Sequence, residues 1–207
     1  MPVILLTGFA PFGGSQINPS QKIAEQLNGE TIGGAQVVSL TLPVSMDADA
    51  DLLTAAIADH KPAFVVSLGL AGGATCLEVE RFAVNLRYTG EINADKPVPS
   101  DLPQSAIIAE GMCALASTLD AEQIAAAIRD AGVPARAHSY AGAYACNYIF
   151  YQALHYAMQW DLSYCAGFIH LPLSSEQAVS ENKQHLPSLP LELMTAGVRA
   201  ALEEALK

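Results

Sequence analysis

A single three-layer α/β/α domain with a mostly parallel, mixed central sheet is the fold this sequence predicts, and three observations predict it. Short β-rich runs alternate with helical periodicities along the 207 residues. One run, "AFVVSLGL" at 63–70, is almost continuously apolar, as a central strand covered on both faces should be. That run and the first one pass into glycine-rich turns, "AGG" and "GFAPFGG". With no repeat, low-complexity tract or linker-like boundary, residues 1–207 read as one domain.

The elements follow in order. "PVILLTGF" is a strand, and "NPSQKIAEQL" a helix with Asn18 or Ser20 as N-cap and Pro19 in the first turn. "AQVVSLTL" is a second strand. "DADADLLTAAIADH" has apolar positions at Leu52, Leu53, Ala56 and Ile57 and stops before Lys61 and Pro62, which predicts a helix. After the central strand, "CLEVERFAVNLRY" alternates Leu77, Val79 and Arg81 against Glu78, Glu80 and Phe82, a strand or hairpin; the stretch to Pro103 reads as a long surface loop. "DAEQIAAAIRDAG" is a helix closed by Gly132 and Pro134, and "ARAHSYAG" a short strand entering a turn. "CNYIFYQALHYAMQW" then begins a helix, "SYCAGFIHLPL" is a further strand, and "PLELMTAGVRAALEEALK" is an amphipathic helix built on Leu193, Val198, Ala201 and Leu202.

Composition narrows the function. Hydrophobic residues are 51% and charged residues 15%, too apolar for disorder and consistent with burial that includes subunit interfaces, so a homo-oligomer, dimer or tetramer, is expected. A net charge of -11, from 10 basic and 21 acidic residues, repels phosphate backbones and anionic lipid, so neither nucleic acid nor membrane is an expected partner. The start "MPVILLTGFAPFGG" has no basic segment and an apolar run of only about five residues, which predicts a cytoplasmic protein. Cys76, Cys113, Cys146 and Cys165 lie far apart without a C-x-x-C pair or matched histidine spacing, so neither a disulfide framework nor a metal site is expected.

Chemistry is suggested first by "SYAGAYACN". If this is a strand-to-helix turn, Cys146 sits at a helix N-terminus, where free N–H groups favour a thiolate and point where an oxyanion would form; Gly142 and Ala143 would let a substrate backbone come close. A core cysteine in a tight helix start is the commoner case for such a residue. His170 ends an apolar strand, where sites assemble in α/β sheets, and can share a crevice with Cys146. His155 lies nine residues beyond Cys146 on the opposite helix face, and His60, His138 and His185 read as surface or loop residues, with His138 left open. Glu80, in the otherwise apolar "VERFAVN", is either the carboxylate that holds an imidazole or half of an ion pair with a neighbouring arginine.

The segments "TGFAPFGG…NPS", "LGLAGG…VERFAVN", "AGAYACN" and "GFIHLP" resemble, in order and approximate spacing, the pyrrolidone-carboxylate peptidases, also called pyroglutamyl peptidase type I. The resemblance runs from about residue 4 into the last helix. It implies a cysteine exopeptidase that removes an N-terminal pyroglutamyl residue from peptides, with a Cys146, His170 and Glu80 triad, no metal and no cofactor. It also implies a pocket for a flat, uncharged lactam, with Phe9 and Phe12 of "GFAPFGG", Leu70 and Tyr144 as contacts. Two alternatives are a phosphate-using nucleoside transferase, for which that loop lacks both G-x-G-x-x-G spacing and a Walker lysine, and a non-catalytic binder of blocked peptides. This chain departs from the family at four places. "LRYTGEINADKP" lacks an expected arginine, leaving either Arg87 or the backbone to serve the oxyanion. Leu70 stands where glutamine is frequent, Glu78 replaces a small hydroxyl residue, and Tyr140 replaces a small residue.

Overall fold

The structure, a computed structural model, describes residues 1–88, 104–160 and 163–207, so most of the predicted loop up to Pro103 lies outside the described residues. The first half alternates strand and helix: β1 (Val3–Phe9), α1 (Pro19–Leu27), β2 (Thr31–Ile32), β3 (Ala35–Leu42), α2 (Met46–His60), β4 (Phe64–Leu70) and β5 (Leu77–Val84). Short strands β6 (Arg87–Tyr88), β7 (Gln104–Ser105) and β8 (Ala114–Ala116) precede α3 (Ala121–Asp130), β9 (Ala135–Tyr140) and α4 (Ala145–Gln159). The chain ends with β10 (Cys165–Leu171), β11 (Leu173–Ser174), α5 (Ser175–Ser180), β12 (Ser188–Leu189) and α6 (Leu191–Ala205).

Among the described residues the main sheet runs β2-β3-β1-β4-β10-β5-β8, with β9 also paired to β5. The contacts among β3, β1, β4 and β10 are parallel, and β5 enters antiparallel to β10, so the sheet is mixed as predicted. Helices α1, α3 and α6 bury Ile23, Ile124 and Val198 on one face with Leu6, Val66 and Ile169. Helices α2 and α4 bury Leu53, Ile57, Ile149 and Phe150 on the other with Leu5, Val65 and Phe168. Each such side chain contributes about 1.5–3 kcal/mol when fully buried. Within α2, Leu52 is exposed and the inward positions are Asp49, Ala50, Leu53 and Ile57, a correction to the predicted stripe. Because α1 and α2 leave β1 and β3 toward opposite faces, a crevice opens outside the carboxyl ends of β1 and β4.

Local chemistry sets the loops bordering that crevice. Asn18 caps α1, its Oδ1 accepting from the Ser20 N–H (3.1 Å) and Ser20 Oγ (2.8 Å). Ser20 Oγ accepts from the Phe9 N–H (3.0 Å) and Asn18 Nδ2 donates to the Ala10 carbonyl (3.2 Å), so "NPS" ties both ends of the glycine loop. On the other side, buried Asn147 in the first turn of α4 accepts from the Val84 N–H (2.8 Å) and donates to the Val84 and Leu86 carbonyls (2.9 and 3.0 Å). One side chain thus clamps the start of α4 to the end of β5.

Replacing Asn147 with alanine strands these backbone groups in a buried place. Urea unfolding of Asn147→Ala is expected to show a loss of about 1–3 kcal/mol; an unchanged midpoint would contradict the clamp.

Candidate active site

Cys146 is the second residue of α4 and is half-buried. The first helical hydrogen bond runs from the Tyr148 N–H to the Tyr144 carbonyl (2.9 Å), so the N–H groups of Ala145, Cys146 and Asn147 precede the helical ladder. They place the positive end of the helix around the sulfur. The turn leading in is made by Gly142, whose φ of 78° is left-handed. Across the crevice Gly69, near the end of β4, gives the sulfur room: a Cβ there would stand 2.8 Å from Cys146 Sγ and 2.7 Å from the Phe168 ring.

His170 is the sixth residue of β10, in register with Gly69 on one side and Glu78 on the other. Its Nδ1 lies 2.6 Å from Oε1 of Glu80, and the ring is close enough to Cys146 to be coupled to it electrostatically. An ionised carboxylate only accepts, so His170 Nδ1 carries the proton and the remaining nitrogen meets the sulfur. Burial alone would push the His170 imidazolium down; its interactions with Cys146, and then with Glu80, outweigh it, and the group is pushed up to about 10. Cysteine, histidine and carboxylate therefore form one continuous chain.

Glu80 has no exposed side-chain surface. Its partners are histidines: His170, and also His138 on β9, whose Nδ1 lies 2.9 Å from Oε2 and 3.1 Å from Oε1. The arginine pairs go elsewhere. Arg136 bonds Glu78, with Nε at 3.0 Å from Oε1, and Arg81 turns outward to Glu122. His138 is not the detached surface residue its setting in the sequence suggests. His60 and His185 are exposed, and His155 lies on α4 stacked against Tyr151. Among the described residues, Glu78, Glu80 and His138 bring ligand-type atoms within 4.8 Å of one another, but each is already engaged by Arg136, His170 or its neighbour.

The predicted pocket residues fall at different depths. Phe12, Leu70 and Tyr144 are half-buried around the crevice, whereas Phe9 is 2% exposed and packs in the core beneath it, in the cluster of Leu42, Ala141 and Tyr148. Tyr144 leans against Tyr88, with ring centroids 5.2 Å apart, and the Ala143 carbonyl accepts from the Tyr88 N–H (3.2 Å), so β6 closes one side. Arg87 is committed outside this group: it pairs with Asp47 (3.3 Å) and lies 5.7 Å from the centre of the Tyr148 ring. Tyr140 registers with Phe82, and both rings are about half exposed, 50% and 45%. Residues 9–20 contain no lysine or arginine, so the glycine loop has no cation for a phosphate.

The sequence left His138 open and did not single out Asn147 or Gly69. A signal existed for the last two, a polar residue at a helix start and a glycine inside an apolar strand; His138 had none, because cross-strand register placed it.

Comparison with known proteins shows the family of the chain. The family model described as pyroglutamyl peptidase matches residues 2–207. A pyrrolidone-carboxylate peptidase of Pectobacterium carotovorum is 35% identical over 206 residues, 100% of this chain and 94% of the relative. One of Bacillus thuringiensis is 34% identical over 203 residues, 98% and 92% of the two chains. The pyrrolidone carboxyl peptidase structure from Thermococcus litoralis superposes with a TM-score of 0.90 at 33% identity, covering 100% of this chain and 94% of that one. Pyroglutamyl peptidase I of Bacillus amyloliquefaciens gives 0.90 at 30%, covering 100% and 97%. With family motifs, fold and full-length similarity in agreement, the chain belongs to the pyroglutamyl peptidase family.

Proposed function

We propose that this chain hydrolyses the bond after an N-terminal pyroglutamyl residue of peptides, with Cys146 as nucleophile, His170 as acid and base, and Glu80 holding the imidazole. The observation that carries the reading is the His170 ring held between a fully buried carboxylate and a thiol at a helix N-terminus, in a member of a cysteine peptidase family. Cys146 Sγ attacks the pyroglutamyl carbonyl carbon, and the carbonyl electrons move to oxygen, where the N–H groups at the start of α4 stabilise the charge. The C–N bond breaks as His170 gives its proton to the leaving amine, leaving a thioester on Cys146. Water, its proton taken by His170, attacks the thioester; pyroglutamate departs and the thiolate returns. Glu80 keeps Nδ1–H in place throughout. Every proton is carried by the chain's own groups or by water.

For the substrate, Phe12, Leu70 and Tyr144 supply apolar walls suited to an uncharged lactam, with Phe9 supporting them from below. Since Arg87 is engaged by Asp47, backbone N–H groups serve the oxyanion. The chain acts as one domain over residues 1–207. We place it in the cytoplasm as a homo-oligomer; among the described residues no helix is long and apolar enough to cross a membrane, and Met112, Met158 and Trp160 leave apolar surface open for subunit contact.

Three outcomes test this reading. A fluorogenic pyroglutamyl amide should be cleaved, and Cys146→Ser should lower kcat by several orders of magnitude, on the order of 10⁴ or more; no cleavage, or unchanged cleavage by the variant, would sink it. Because His170 is held up to about 10, the imidazolium that donates to the leaving group, and any stability its raised value adds, are lost as pH rises through that value. Glu80→Gln should therefore move the alkaline limb of kcat/KM to lower pH, and a stationary limb would remove Glu80 from the triad. Light scattering should give a multiple of the chain mass, a monomer being the contrary result.

A further inference from the structure

Glu80 is out of contact with solvent, so both of its oxygens need donors from the protein. His170 supplies one for Oε1. Among the described residues the donor for Oε2 is His138, whose Nδ1 lies 2.9 Å away. That N–H also reaches Oε1, at 3.1 Å, and so spans the carboxylate edge. The imidazole comes from the far side of β5: β9 runs parallel to β5 and sets His138 opposite Glu80, while His170 arrives from β10.

The neighbouring pair explains why His138 is free for this task. Glu78 and Arg136 stand opposite each other in the same register, two residues back on each strand, and Arg136 bonds the Glu78 carboxylate. The hydrogen bond from Arg136 to Glu78 raises the guanidinium above its ordinary value, and the two opposite charges face one another. Glu78 therefore makes no claim on the His138 ring. Among the described residues the charged and titratable groups near the ring include Glu80 and Glu78 on β5, Arg136 on β9 with Cys76 beside that pair, and, beyond Glu80, His170 on β10 and Cys146 on α4.

We propose that His138 is a positioning residue: it pins the Oε2 side of Glu80, fixing the rotation of the carboxylate that presents Oε1 to His170. It stands on the far side of Glu80 from Cys146, and 34% of its side chain is exposed, whereas Glu80 has no exposed side-chain surface. Without it Oε2 is a buried acceptor with no donor, and the carboxylate turns away from the line His170 needs. Misaligned support of a catalytic base lowers turnover by about ten- to a hundredfold. The proposal rests on the Cys146, His170 and Glu80 reading above.

The test compares His138→Ala, His138→Asn and Cys146→Ser in the full chain on a pyroglutamyl amide across neutral and alkaline pH. Asparagine Nδ2 occupies the place of histidine Nδ1 and keeps a donor to Glu80. His138→Ala is expected to lower kcat about ten- to a hundredfold with KM little changed. Its alkaline limb should move to lower pH, and His138→Asn should restore both. Loss of stability alone would not move that limb. Wild-type kcat and limb in His138→Ala, or equal loss in both His138 variants, overturns the role of His138 while an inactive Cys146→Ser leaves the triad standing. Activity that survives Cys146→Ser overturns the triad itself, and this proposal with it.

Discussion

A carboxylate with no exposed surface at the centre of a protein must be compensated by the groups around it, and Glu80 imposes that condition on three strands at once. It needs β10 at one edge to bring His170 and β9 at the other to bring His138, so the junction of β5 with both is fixed by side-chain chemistry as well as by the backbone ladder. The His170 imidazole bonded to it lies between Glu80 and Cys146. Burial, which alone would discharge His170, is overcome by its interactions with Cys146 and then Glu80.

The other half of the site comes from α4. Its first turn faces the sheet because Ile149, Phe150 and Tyr151 are buried behind it and Asn147 locks it to Val84 and Leu86. That lock joins the helix that bears the sulfur to the strand that bears Glu80, so their separation does not depend on the long connection between them. Gly69 then permits an approach that any side chain on β4 would block. Packing energy brings the elements together, and a few hydrogen bonds and one missing Cβ set the distances on which chemistry depends.

Much of this was legible in the residues. Periodicity, capping residues and the "AFVVSLGL" run marked the main strands and helices, because those signals are local. Cys146 and His170 could be placed at a helix start and a strand end for the same reason. What could not be read is what depends on register between strands distant in sequence. The pairing of Glu80 with His138 and of Glu78 with Arg136 spans 58 residues in each case, and nothing local to "ARAHSY" announces it. The departure at Glu78 therefore looked like a change in the site when taken alone; beside Arg136 it is half of a structural pair. Phe9, an aromatic at the edge of the glycine loop, is 2% exposed and packs in the core with Leu42 and Tyr148, a depth that its place in the sequence does not announce. The short strands β2, β8, β11 and β12 escaped because two or three residues carry no periodicity.

With Glu80 on one side and Cys146 on the other, His170 is expected to be an imidazolium at neutral pH. Nitrogen-resolved NMR of the histidine side chains, with the His170 signals assigned from a His170→Gln variant, tests it without substrate. Both His170 ring nitrogens should remain protonated through neutral pH and titrate at about 10. A His170 ring that titrates near the ordinary histidine value of 6.5 would contradict the account.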